Sequence, residues 1–334
     1  MRQRAATGVG VAARTVSVVV CTHTDRRLAL LLECVESLRA NDPHEIIVVV
    51  DANPPLLEKL RAIQPRDVEL ILSPGRGVSA ARNAGVAAAS GDLVAFIDDD
   101  ATAEPDWLDE LEKPFDDPQV AAAGGRILPR WEGITPVLPP ELFWVVGCTY
   151  RGHPTGAQPI TRPIACNMAA RRGALLDVGG FPIEFGPSGP KPKNHSNEEI
   201  ALAVQMRRRY GGDSIWYTPA AVVRHFVPAA RTTWAYLWQR CVAEGISKAD
   251  VRIRYGPAAM GFDRSYARRT LVPAIARYAA VGVRRRDRLA GARALASAGG
   301  LLVTAAAFGG RLAAAGGRRA VATTVASGRA KQRA

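Results

Sequence analysis

Three consecutive carboxylates, Asp98-Asp99-Asp100, close the apolar run Leu93-Val94-Ala95-Phe96-Ile97. A short apolar run bounded by turn formers reads as a buried strand of a parallel sheet. Such sheets hold ligands at the carboxyl ends of their strands. Adjacent carboxylates repel one another and a cation relieves the repulsion; hard oxygen ligands of this kind suit Mg²⁺ or Mn²⁺. Strand alternation sends Asp98 and Asp100 one way and Asp99 the other, so one pair can face a metal. The plain alternative is a solvated loop of aspartates, which are common at turns. A second acidic pair, Glu198-Glu199, opens a helical pattern carried by Ile200, Ala203, Val204 and Met206. The helix dipole favours acids in that first turn. Asp51 ends another apolar run, from Glu45 to Val50. A carboxylate there commonly accepts hydrogen bonds from a nucleoside's base or ribose, although a turn before Asn53-Pro54-Pro55 explains it nearly as well. Arg76 and Arg82 flank a Gly-containing loop that is neither a phosphate loop nor a dinucleotide fingerprint. Either arginine can still pair bidentately with a pyrophosphate.

The elements that must position these residues follow from periodicity. Val16 to Cys21 is a β-branched run and reads as the first strand. Arg26 to Ala40 carries Leu28, Leu31, Leu32, Val35 and Leu38 at helical spacing. Strand, helix and strand then recur at Glu45–Asp51, Leu56–Ile63 and Val68–Leu72, the pattern of a parallel, doubly wound sheet. A helix from Ser79 to near Ser90 leads into the aspartate strand. A further helix is expected from Ala101 through Trp107, with Pro105 in its first turn. Val120 to Gly125 reads as a strand. The stretch 129–163 lacks periodicity and is expected as a lid or binding loop. Ile164 to Ala170 reads as strand or turn, and Pro187 to Asn194 as mobile. Trp216-Tyr217 and Ala221 to His225 read as the last strands.

Composition bounds the rest. The chain has 334 residues, and 48% hydrophobic content suits a globular protein with a real core. Five scattered cysteines, Cys21, Cys34, Cys148, Cys166 and Cys241, with no Cys-x-x-Cys pair, argue against a disulfide framework and a zinc site and favour a reducing cytosol. Met1 to Arg14 does not resemble a signal peptide and is expected as a disordered lead-in. From Val251 onward 17 Lys and Arg face only Asp263 and Asp287, a net of +15, which leaves −2 of the total +13 for the rest. That asymmetry points to an anionic partner surface. Thr232 to Ala249 reads as an amphipathic helix. The apolar stretches Leu271–Val283 and Ala294–Gly310 follow, the second with 17 uncharged residues rich in Gly and Ala. Flanked by Arg284-Arg285-Arg286, they suit lying on an anionic membrane or packing as a basic-faced bundle.

Taken in order, these pieces resemble the inverting nucleotide-sugar glycosyltransferases of family 2, which have the GT-A fold. The resemblance rests on Val16–Cys21 with Thr22, Val48-Val49-Val50-Asp51, Gly77-x4-Arg82-Asn83-x-Gly85, Ala95 to Asp100 with Pro105-x-Trp107-Leu108, Gly179-Gly180-Phe181, and Glu198-Glu199. It covers residues 15–230, about two-thirds of the chain. It implies an α/β, Rossmann-like, mostly parallel sheet with helices on both faces. A basic helical appendage over 231–326 and a disordered tail over 327–334 would complete the chain. It implies that Thr22 and Asp51 hold the nucleoside, that Arg82 and Asp99 lie near the donor, and that Asp98 and Asp100 hold Mg²⁺ or Mn²⁺ on the diphosphate. It implies Glu199 as general base, with Glu198 beside it as the alternative. His225 matches a position that completes the metal site in some relatives, though a lone His is more often structural. The segment Gly125 to Tyr150, with Trp131 and Trp144, resembles the subgroup that extends lipid-linked sugars.

The expected partners are therefore a nucleotide sugar, a UDP-sugar first, and a glycan or lipid-linked acceptor. The expected place is the cytoplasmic face of the membrane, held peripherally. A sugar-nucleotide pyrophosphorylase would need a basic Gly-rich loop after the first strand, where Thr22-His23-Thr24-Asp25 stands. A nucleic-acid-binding protein would need aromatics interleaved in the basic tail, and these are missing; no nucleic acid is expected.

Overall fold

The computed structural model describes residues 14–63, 67–133, 137–185 and 197–331. The lead-in over residues 1–13, the stretch 187–194 and residues 332–334 lie outside them. The first half alternates β1 (Val16–Thr22), α1 (Leu28–Arg39), β2 (Glu45–Val50), α2 (Pro54–Ile63), β3 (Val68–Leu72), α3 (Val78–Ala88) and β4 (Leu93–Asp98). β-Branched residues fill β1 and β2 because their stiff side chains fit a pleated surface covered on both faces. Val18, Val20, Ile46 and Val48 enter one core, while Val19, Ile47, Val49, Val94 and Phe96 enter a second core across the sheet.

The second half adds β5 (Ala101–Ala103), α4 (Trp107–Glu112), β6 (Ala122–Trp131), β7 (Gln158–Pro159), β8 (Asn167–Arg171), α5 (Arg172–Asp177), α6 (Glu198–Tyr210) and β9 (Ile215–Val227). The sheet order is β3-β2-β1-β4-β8-β6-β9-β5, with β7 also on β9. It is parallel from β3 to β4 and mixed beyond. Two expectations change here. Residues 101–103 form a strand, because they pair with β9. The helix begins only at Trp107, after Pro105, with Asp106 turned into the left-handed region at φ 62°. The strand expected to stop near Gly125 runs on to Trp131 along β9. Neither pairing is local, so neither leaves a periodic signature.

Of the stretch expected as a lid or binding loop, the part around Leu142 is core, while Trp144, Tyr150 and residues 153–154 and 158–163 line a cavity. Leu138, Leu142, Val145, Val146 and Cys148 are buried, and a tight helical turn spans Pro140–Val146. The C-terminal helices α7 (Trp234–Tyr255), α8 (Gly261–Tyr266), α9 (Val272–Arg285) and α10 (Arg288–Lys331) cover this region. Fully buried Glu141 fastens them to it, accepting from Arg151 at 3.0 Å, Arg277 at 2.8 Å and the Tyr278 hydroxyl at 3.1 Å. Leu237, Cys241, Leu271 and Ala296 belong to the same core as β1 and β2. α10 lies against α7 so closely that a Cβ on Gly245 would collide with the Thr304 carbonyl and the Ala307 methyl. It reaches Lys331, into the stretch expected as a tail. Its segment Arg288–Gly316 is long and apolar enough to cross a membrane, and 28% of its 18 most apolar consecutive residues are buried. Leu295 and Leu302 are each 69% exposed.

Candidate active site

Register builds the site. Thr22 pairs with Val50 and Cys21 with Asp98, so the carboxyl ends of β1, β2 and β4 form one edge. The Asp51 N–H donates to the Thr22 carbonyl at 2.7 Å. Asp51 Oδ1 accepts from the Gly77 N–H at 2.8 Å. Gly77 stands at φ 109°, a conformation that a side chain would strain, and so turns its amide toward Asp51. Thr22 is buried, with its side chain beside the Asp99 carboxylate. Behind this edge α3 rides close on β1: a Cβ on Gly85 would strike Val19. Asn83 accepts from the Phe181 N–H and donates to the Phe181 carbonyl, both at 2.8 Å, which fixes the Gly180-Phe181 turn. Arg76 is exposed on the loop before α3.

From the other side, β5 pairs Ala101 with His225, and the Phe226 N–H donates to the Asp100 carbonyl at 2.7 Å. His225 Nε2 thereby stands 3.1 Å from Asp100 Oδ1. One potential ligand atom each from Asp98, Asp100 and His225 lies within 4.8 Å of the others. Asp100 Oδ1 is buried against the His225 ring. Two carboxylates and an imidazole converging on one point fit Mn²⁺ or Mg²⁺. Burial alone would raise the Asp100 carboxyl, but contact with His225 and the Arg27 and Arg231 charges hold it below its usual range. Burial pulls the His225 ring down, and Asp100 with Cys148 more than offsets this, raising it to about 10.

Asp99 departs from expectation. The strand stops at Asp98, and Asp99-Asp100 make a turn, so alternation does not extend to them. Asp99 and Asp100 instead share one cation: Arg27 Nη1 lies 2.9 Å from Asp99 Oδ1 and 2.7 Å from Asp100 Oδ2. Burial pushes the Asp99 carboxyl up to about 7, against the pull of Arg27.

The acidic pair of α6 is split by environment. Arg82, buried, donates from Nη1 to Glu198 Oε1 at 2.7 Å, while its Nη2 lies 3.6 Å from Asp98 Oδ1. Its guanidinium covers the Phe181 ring at 5.3 Å. One arginine thus spans the acidic helix and the aspartate cluster. Glu199 faces a cavity of about 340 Å³, shared with Trp144, Tyr150, His153, Asn197 and Arg240. Burial, and then the neighbouring Glu198 charge, raise its carboxyl well above the usual range, which is the direction a proton acceptor at neutral pH requires.

The structure therefore gathers Asp98, Asp99, Asp100, Arg82 and His225, with Thr22 and Asp51 on the adjoining edge. Sequence reading missed Arg27, Arg231 and Asn197. Arg27 ends a tight helical turn over Asp25–Arg27 and Arg231 lies within another, Ala229–Thr232, and no motif marks either. Asn197 precedes α6 in a left-handed conformation at φ 82°, which nothing in its neighbours announces.

The family described as Glycosyl transferase family 2 matches residues 17–179. The glucosyl-dolichyl phosphate glucuronosyltransferase of Haloferax volcanii is 32% identical over 250 residues, covering 73% of this chain and 79% of that protein. Succinoglycan biosynthesis protein ExoM of Rhizobium meliloti is 28% identical over 244 residues, covering 69% and 72% respectively. Among solved structures, mannosyltransferase PcManGT from Pyrobaculum calidifontis, in complex with GDP-Man and Mn²⁺, superposes with a TM-score of 0.53 at 20% identity over 96% of this chain and 81% of that one. At that identity the likeness concerns the fold, a mixed, mostly parallel sheet flanked by helices. Sequence kinship over most of two chains and a shared architecture lead to one assignment: this chain belongs to glycosyltransferase family 2 and has the GT-A fold.

Proposed function

We propose that the enzyme transfers a sugar from a nucleotide-sugar donor, a UDP-sugar first, to a hydroxyl of a lipid-linked sugar or cell-envelope glycan, with inversion at the anomeric carbon. The observation that carries this reading is the span of Arg82, with the aspartate cluster at one end and the acidic pair of α6 at the other. Thr22 and Asp51 hold the nucleoside, and Arg82 and Asp99 border the donor. Asp98, Asp100 and His225 hold the divalent cation, which when bound neutralises charge developing on the departing diphosphate. Glu198 is committed to Arg82, so Glu199 is the base. Its carboxylate takes the proton of the acceptor hydroxyl. The acceptor oxygen bonds to the anomeric carbon, and the carbon–oxygen bond to the diphosphate breaks with its electron pair leaving on the nucleotide. Arg27, between Asp99 and Asp100, keeps the acidic turn compact until the donor arrives.

The names of the relatives support an acceptor carried on lipid or destined for the envelope. The exposed leucines of α10 beside its arginines support peripheral attachment to the cytoplasmic face of the membrane. A screen of nucleotide sugars with Mn²⁺ tests the reading. One donor should raise the melting temperature only with metal and be hydrolysed slowly without acceptor, releasing a sugar of inverted configuration. No response from any nucleotide sugar would refute it.

A further inference from the structure

We infer that a second chamber, behind the Glu199 cavity, binds a phosphate group carried on an apolar chain, the carrier end of the acceptor. The inference rests on Glu199 facing the acceptor, as proposed above. The second chamber has a volume of about 270 Å³ and shares Trp144, Tyr150, Arg162 and Glu244 with the first. The two are therefore neighbouring rooms, with these four side chains between them.

Chemistry changes from one room to the other. Beside Glu199, Asn197 is only 4% exposed, and its Nδ2 has no hydrogen-bond partner. Arg240 Nε, on the same wall, also lacks one. Buried donors without partners are rare and carry a desolvation cost. Sugar hydroxyls in the first room would satisfy them. The left-handed backbone of Asn197 is strain of the kind concentrated at ligand clamps.

Deeper in, ionised side chains crowd the shared wall. Lys248 Nζ lies 3.0 Å from Glu244 and 2.7 Å from Asp263, and Arg162 Nη2 lies 3.3 Å from Asp263. Arg252 and Arg264 line the same chamber. Four cations thus face two carboxylates, a surplus of two positive charges. Burial would raise the Asp263 carboxyl, but Lys248 and Arg162 hold it down to about 2, so the surplus persists across physiological pH. An anion entering the chamber would meet this surplus, and arginine forks suit phosphate.

The far wall is apolar, built by Leu142 and Leu271 with Leu301, Ala305 and Phe308 of α10. The successive linings match an acceptor sugar, then a phosphate, then a hydrocarbon chain. The same helix carries exposed Leu295 and Leu302 on another side, so a chain longer than the chamber meets apolar surface as it leaves.

Direct titration of the full-length protein tests this without turnover. Farnesyl phosphate, farnesol and inorganic phosphate are titrated separately by calorimetry. The same titrations follow for Arg252→Ser/Arg264→Ser, which leaves the buried ion pairs intact, and for Ala305→Phe, which fills the apolar end. Wild type should bind farnesyl phosphate at least tenfold more tightly than either other ligand. The double variant should lose at least tenfold for farnesyl phosphate and little for farnesol. Ala305→Phe should weaken both farnesyl ligands, with circular dichroism unchanged. Equal affinity for farnesol would remove the anion from the proposal, and equal affinity for inorganic phosphate would remove the chain. Unchanged binding of farnesyl phosphate in both variants, or none by wild type, would overturn it. A thermal-shift response to nucleotide sugar and Mn²⁺, read in parallel, separates the two ideas. Farnesyl phosphate binding without that response sinks the transferase roles and leaves the chamber; the reverse sinks the chamber alone.

Discussion

Replacing Arg82 by Met removes the cation that joins the acidic helix to the aspartate cluster. The Glu198 carboxylate, 9% exposed and 2.7 Å from Arg82 Nη1, would then be buried without compensation. Breaking a buried pair from one side costs about 3–5 kcal/mol. Spread over an unfolding entropy of roughly 0.7 kcal/mol/K for a chain of this length, that lowers the melting temperature by about 4–7 °C. The loss is measured at pH 5 and at pH 8. Adding Glu198→Gln removes the orphaned charge and should restore most of the stability, because the methionine stem can still pack on Phe181. Urea denaturation of the single and double variants at both pH values measures this. A loss below about 1 kcal/mol at pH 8 in Arg82→Met, or a double variant weaker than the single, would refute the reasoning.

Other outcomes follow from the same geometry. Glu199→Gln should fold normally and lose about 10²–10⁴-fold in kcat, the usual contribution of a general base. In wild type, kcat/KM should climb with pH across neutrality, because the Glu199 carboxyl is raised and must be deprotonated to act; a profile already flat from pH 5 upward would count against it as base. Asp100→Ala and His225→Gln should each weaken Mn²⁺ binding more than tenfold by calorimetry, and Asp100→Ala should abolish transfer. Asn167→Leu would leave the buried Trp107 Nε1–H, now 2.8 Å from Asn167 Oδ1, and the Arg126 and Ala221 carbonyls unpaired. A stability loss of about 1–3 kcal/mol per buried orphan group is expected in urea titrations. Leu295→Asp/Leu302→Asp should abolish sedimentation with anionic vesicles while leaving donor binding intact; persistent sedimentation would move the lipid contact elsewhere.

The parallel half of the sheet was legible because buried strands of that kind are written as continuous β-branched runs. The carboxylates that end them mark the ligand edge. Asp98, Asp100 and His225 could be grouped from resemblance, and the pairing of β5 with β9 is what brings them within reach of one ion. That pairing was not legible, since Ala101–Ala103 carries no strand signal of its own. Glu198 and Glu199 could not be told apart by spacing; a side chain more than a hundred residues away in sequence, Arg82, separates them. The stretch around Leu142 and Val145 looked like a lid because its apolar residues lack a period. It is core because the C-terminal helices lie over it, and a contact of that kind appears only once the chain is folded.

α10 packs on α7 and into the common core, which ties the helical half to the domain that carries the transfer site. Whatever plane α10 rests on therefore becomes a datum, and the height of Glu199 above it is constant. If the acceptor is carried in that plane, as proposed, it would be gauged by reach: a carrier too short would stop below the base, and one too long would carry its hydroxyl past. Selectivity of this kind would need no recognition of the terminal sugar. It would be set by the stiffness of the stand on which the catalyst is mounted.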